Sequence, residues 1–218
     1  MRRSWARAFG GASLLGGVLT VLVSVPTAWY GLEPRDSYVF DPPVLSPLWI
    51  NRHLVPVLAV LAAIGLGLGI LGLARRDWPV AGRARRWGGV GGVLAFVGVT
   101  IAVFVLFSPT GNAGSDVVVT LAGFGVGALG LVLLVPSVIL LAYGYRRTDR
   151  PHLGTAFAGT LVAVPVLGYV VPGPTSGLVA SLPIGVAWAV FGVDLLEHPD
   201  PLPAGNGQLR ASNASPES

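Results

Sequence analysis

Long apolar runs alternate with short arginine-bearing segments along this chain. Stretches free of charged residues run Ala8–Leu32, His53–Ala74, Trp87–Ser115, Val117–Tyr145 and Pro151–Val193. One bilayer crossing takes about 20 apolar residues, so each of the first four suits a single span. The fifth would reach about 65 Å as one helix, and Pro172-Gly173-Pro174-Thr175-Ser176-Gly177 divides it in two. The runs do not alternate with the period of a membrane β-barrel, and a lone apolar segment satisfies its backbone only as a helix. The expected fold is all-α: a polytopic membrane helix bundle with six transmembrane helices. Its spans fall at about 9–30, 54–74, 88–108, 117–143, 153–171 and 178–196. Residues 1–198 form the bundle, and 199–218, rich in Pro, Gly, Ser and Asn, are expected to be a disordered cytoplasmic tail.

The arginines set the orientation. With the N-terminus inside, the inner segments hold Arg2, Arg3, Arg7, Arg75, Arg76, Arg83, Arg85, Arg86, Arg146, Arg147, Arg150 and Arg210, against Arg35 and Arg52 outside. Short loops rich in Arg stay cytoplasmic, so both termini are expected in the cytoplasm and the protein in the cell membrane. The first span follows Met1-Arg2-Arg3-Ser4-Trp5-Ala6-Arg7 as a signal peptide would. Its apolar run exceeds the usual 7–15 residues, and Pro26 sits poorly for cleavage after Ala28, so it is read as a retained anchor.

Composition strengthens the membrane reading. Charged residues make up 11% of the chain, against about 25% in soluble proteins, and the mean hydropathy is +0.72. All 14 basic residues are Arg. Because they sit in short loops between apolar runs, they call for no nucleic-acid partner. Without cysteine there is no disulfide, thiolate metal site or Cys nucleophile.

Small residues recur at helical spacing. Gly10, Ser13, Gly17, Thr20, Ser24 and Thr27 mark span one, and Ala62, Gly65, Gly69 and Gly72 mark span two. Gly88, Gly91, Ala95 and Gly98 line span three; Thr120, Gly123, Gly127 and Gly130 line span four. Such stripes bring membrane helices into close backbone contact, and Gly17, Gly65, Gly69, Gly91, Gly98, Gly123 and Gly127 are the expected helix-packing positions. Abundant Gly also produces stripes by chance. A weak echo links Leu71–Pro79 with Leu141–Pro151, since each closes a span with Arg, Asp and Pro. Such endings also arise from ordinary interfacial chemistry.

Candidate chemistry is sparse. Ionisable side chains inside a span are costly and mark function, but these span centres hold none. Asp116 and Asp194 are expected at interfaces, and His152 and His198 as lone interfacial histidines. The hydroxyls of Thr20, Ser24 and Thr27 either wet a pathway or bond back to their own helix. Trp29, Tyr30, Trp49, Trp78, Trp87, Tyr143 and Tyr145 fall near span ends, as an aromatic belt would.

The outer loop from Gly31 to Arg52 mixes acids, Arg, aromatics and four Pro. It offers Glu33, Arg35, Asp36, Asp41, Trp49, Arg52 and His53 as a binding surface, or it lies on the interface as a lid. Asp36, Asp41 and His53 lack any recognised metal-ligand spacing, so no catalytic, metal or cofactor residue is assigned and no cofactor is expected.

The expected function is non-enzymatic: a structural or accessory subunit, or a partner-binding membrane module. Its partners would be the lipid bilayer, and another membrane protein or a second copy of itself. A small transporter or channel for a neutral or lipidic solute is the alternative. A lipid-modifying enzyme, using Asp36, Asp41 and His53 outside or Asp149 and His152 inside, ranks last.

Overall fold

The protein is described by a computed structural model covering residues 2–30, 46, 49–107, 117–171 and 176–200. Among these residues helix is the only regular secondary structure. The long helices are α1 (Arg2–Tyr30), α2 (Val55–Asp77), α3 (Arg83–Phe107), α4 (Val117–Arg146), α5 (Pro151–Val170) and α6 (Ser176–Glu197). Among the described residues, α1, α2, α4, α5 and α6 contain stretches long and apolar enough to cross a membrane. The helix count and class follow from uninterrupted apolar sequence, since such segments can pair their backbone groups only internally in lipid.

Several helices extend past the apolar runs at their arginine-bearing ends: α1 from Arg2, α3 from Arg83 and α4 to Arg146. Arginine is a good helix former and keeps its guanidinium in water while its stem covers apolar surface. The loop expected to end at Arg52 is already wound by then, because a short π-helical turn at Ile50–Leu54 leads into α2. Pro56 lacks an N–H, and the Val55 N–H just before it reaches back to the Ile50 carbonyl. Pro136, Pro165 and Pro183 each lie inside a continuing helix.

Each helix packs against its successor, and α1 closes the ring against α6; α2 also reaches α6 across the interior. The starts of α1, α3 and α5 therefore share one end of the bundle with the ends of α2, α4 and α6. This end is arginine-rich.

Backbones approach closely at several interfaces. Between α1 and α2, a β-carbon on Gly65 would stand 2.7 Å from the Ala12 carbonyl oxygen, and one on Gly69 would stand 2.9 Å from Ser13 Cβ. Between α1 and α6, one on Gly17 would meet the Gly185 carbonyl at 2.6 Å. Between α3 and α4, Gly91 faces the Ser137 side chain, and β-carbons on Gly123 and Gly127 would lie 2.7 Å from Val105 and 2.9 Å from Ala102. Gly98 is looser, 3.3 Å from the Val126 carbonyl.

The space inside the ring is filled by aromatic rings. Trp188 sits edge-on to Phe96 at 5.5 Å and to Phe191 at 5.3 Å, and Phe191 stacks on Phe157 at 4.2 Å. Trp188 donates its indole N–H to the Leu66 carbonyl (2.8 Å) and accepts a hydrogen bond at its own carbonyl from Ser13 Oγ (2.9 Å). A single side chain thus ties α6 to α2, and its backbone ties α6 to α1.

These distances separate two glycine substitutions. Gly65→Ala forces its new methyl against α1 backbone and is expected to lower stability by about 1–3 kcal/mol. Gly125 has open space around it, so Gly125→Ala should gain about 0.5–1 kcal/mol from helix propensity. Thermal unfolding of both variants in one detergent provides the check.

Candidate functional site

Two acidic residues occupy unfavourable positions. Asp77 ends α2 and Asp194 lies in the last turn of α6, where the helix dipole disfavours negative charge. Each also borders an apolar run. A carboxylate at such a place needs a cation, and the structure supplies several.

Arg76 is the centre of the arrangement. Its Nε and Nη2 bond Asp77 Oδ1 and Oδ2 at 2.7 and 3.1 Å, and its Nη1 bonds Asp194 Oδ2 at 2.6 Å and the His198 carbonyl at 3.2 Å. The side chains of Arg76 and Asp77 are each 1% exposed and that of Asp194 is 3% exposed. The planar fork lets one guanidinium grip its sequence neighbour with two donors while a third reaches another helix.

Each carboxylate is held from a further direction. Tyr145, from the end of α4, donates its hydroxyl to Asp77 Oδ2 at 2.6 Å. Arg85, from the start of α3, lies 4.0 Å from the same oxygen, with its guanidinium 5.7 Å from the centre of the Tyr145 ring. Gly144 is where the Arg85 stem passes α4. On the other side, Arg150 at the start of α5 reaches Asp194 Oδ2 at 3.1 Å. His152 Nε2 and His198 Nδ1 approach Asp194 Oδ1 at 3.5 and 3.6 Å, with both imidazoles about half exposed.

The cluster therefore joins the ends of five helices through three guanidiniums, two carboxylates, a phenol and two imidazoles. It corrects two expectations and adds to a third: Asp194 lies in the last turn of its helix, buried there in ion pairs. His152 and His198 share a partner in Asp194. Tyr145 leaves the aromatic belt and points inward, 1% exposed. In each case the spatial meeting of helix ends supplies the partner that neighbouring sequence does not. Asp149 stays exposed, so the echo between Leu71–Pro79 and Leu141–Pro151 places its acids in different environments.

The outer-loop candidates are only partly within reach. Glu33, Arg35, Asp36 and Asp41 lie outside the described residues, and so does the Arg52 side chain. Trp49 is half-buried, its ring 5.5 Å from the exposed His53 imidazole. The hydroxyls of Thr20 and Ser24 turn back to the Gly16 and Thr20 carbonyls at 2.8 and 2.9 Å; Thr27 lies outside the described side chains. Trp78, Trp87 and Tyr143 remain exposed.

Chemically, the cluster is occupied with itself. Its carboxylates already accept from Arg76, Arg150 and Tyr145, and among the described residues no three His, Asp or Glu are placed to hold a metal. A buried ion-pair network of this kind positions helices. Removing one member leaves the others buried and uncompensated.

Asp194→Asn should accordingly lower unfolding free energy by about 3–5 kcal/mol, since it takes the carboxylate from Arg150 and leaves buried Arg76 with Asp77 alone. Tyr145→Phe removes one bond to a charged group and is expected to cost about 1.5–3 kcal/mol. Unfolding of both variants in detergent measures the difference, and equal stability of Asp194→Asn and the parent would contradict a network that positions the helices.

No protein-family model matches this chain, and comparison with the curated proteins and with the solved structures returns no match.

Proposed function

We propose that this multi-pass membrane protein crosses the cell membrane six times with both termini in the cytoplasm, and serves as a non-enzymatic structural or partner-binding subunit. The sixth span is α3, which carries no charged residue from Trp87 to Phe107 and lies against α2 and α4 along the ring. The gathering of arginines at one end of the bundle supports that end as the cytoplasmic one.

The observation that carries the functional reading is the filled interior. Trp188, Phe191, Phe157 and Phe96 occupy the ring centre, and the described buried charges lie at one end, paired with each other. Thr20 and Ser24, the residues a solute pathway would have used, spend their hydroxyls on their own helix.

Outside the ring, α4 presents Leu121, Phe124, Leu129, Val132 and Val135 outward. That face suits lipid, another membrane protein or a second copy of the chain.

The absence of native cysteine makes topology directly measurable. Gly111→Cys is expected to react with a membrane-impermeant maleimide in intact cells, and Gly82→Cys only after permeabilisation. Labelling of both from the same side would remove α3 as a span. Purification in mild detergent should yield a stoichiometric partner or a homo-oligomer; a reproducibly monomeric, partner-free protein would contradict the subunit reading.

A further inference from the structure

The arginine-rich end carries a second feature, on the outer surface of the ring. The start of α1, the end of α2 and the start of α3 enclose an open groove of about 590 Å³, with Trp5, Phe9, Leu71, Arg75, Trp78 and Val93 among its walls. A narrower groove of about 260 Å³ continues between α2 and α3, sharing Leu71 and Val93 and reaching Ile64 and Ile101. The two lie end to end along the α2–α3 seam, meeting at Leu71 and Val93, and both are open to the side. From Arg75 to Ile64 along α2 they run roughly 16 Å, about half the roughly 30 Å of hydrocarbon in a bilayer and so the depth of one leaflet.

Charge is confined to one end of this seam. The Arg75 guanidinium lies 6.0 Å from the centre of the Trp5 ring, and that of Arg86 lies 5.5 Å from the centre of the Trp78 ring. Both rings belong to the groove and are substantially exposed, at 60% and 46%. These two guanidiniums rest on aromatic faces of the groove, whereas Arg76 and Arg150 are committed to carboxylates. A cation on a tryptophan face keeps donors available to an incoming anion.

We propose that this groove binds a phospholipid with an anionic headgroup. The headgroup phosphate sits between Arg75 and Arg86, and one acyl chain lies along Leu71 and Val93 toward Ile64 and Ile101. Charge complementarity selects the headgroup, because only the interfacial end is basic. The apolar extension selects a chain that points to the bilayer centre and ends there. The site rests on α3 lying in the bilayer as proposed above, but on neither the orientation of the protein nor the identity of any protein partner.

The test uses the full chain in phosphatidylcholine vesicles containing a brominated lipid, with tryptophan fluorescence as the readout. Brominated phosphatidylglycerol should quench the component due to Trp5 and Trp78 at much lower mole fraction than brominated phosphatidylcholine. Two guanidiniums at about five-fold each give a preference of roughly 25-fold. The component is identified as the part lost in Trp5→Phe/Trp78→Phe.

Arg75→Gln/Arg86→Gln should abolish the preference while leaving the thermal unfolding midpoint near that of the parent, since neither residue belongs to the buried cluster. Val93→Phe, which fills the groove, should weaken quenching by both lipids. Equal quenching by the two lipids overturns the proposal, as does a preference that survives Arg75→Gln/Arg86→Gln. Protection of Trp5 and Trp78 from both lipids by a co-purifying protein would also overturn it and assign the groove to that partner.

Discussion

Arg76 is a permanent cation that folding removes almost completely from water, at the edge of a region where charge is poorly tolerated. Desolvation of such a group costs several kcal/mol, and only well-aligned partners offset it. Asp77 supplies two of them from the next residue, but the geometry closes only when Asp194 arrives from α6. The same carboxylates then require Tyr145 from α4 and Arg150 from α5. One buried charge thereby dictates how the ends of several helices meet.

The packing of the bundle interior leads to the same place. Glycine contacts draw α1 against α2 and α6 closely enough for Trp188 to reach the Leu66 carbonyl. From Phe96 the aromatic contacts pass through Trp188, Phe191 and Phe157 to Tyr145, stacked 6.1 Å from Phe157. Tyr145 is also the phenol on Asp77. The apolar core and the ion-pair cluster share a residue, so a shift in either is felt by the other. Interiors packed at this density transmit displacement rather than absorb it.

The sequence is informative about this molecule to the extent that information is local. Apolar runs such as His53–Ala74 and Val117–Tyr145 suffice for α2 and α4, because length and hydropathy are properties of single segments. The Pro and Gly cluster that begins at Pro172 marks the division between α5 and α6 in sequence for the same reason. Stripes such as Gly65 and Gly69 mark a face of a helix but not its partner. Gly17 and Gly65, which look alike in sequence, face α6 and α1 respectively.

The cluster was the least legible part. Arg76, Tyr145 and Asp194 are separated by long stretches of chain, and nothing near Asp194 announces Arg76. One signal was available: Asp77 and Asp194 each oppose the dipole of their own helix at the end of an apolar run. Acids in that position imply a cation from elsewhere, although choosing Arg76 and Arg150 among 14 arginines requires the fold. The outer-loop surface around Asp36 and Asp41 lies outside the described residues, and of that group only Trp49 and His53 have described side chains.

The most direct measurement is a double-mutant cycle on Arg76 and Asp194. Unfolding free energies of Arg76→Gln, Asp194→Asn and the double variant would be compared with the parent in one detergent. If the ion pair organises this end of the bundle, the two substitutions couple by about 1.5 kcal/mol or more, as close charge pairs do. Additivity within about 0.5 kcal/mol, the behaviour of independent sites, would contradict the account.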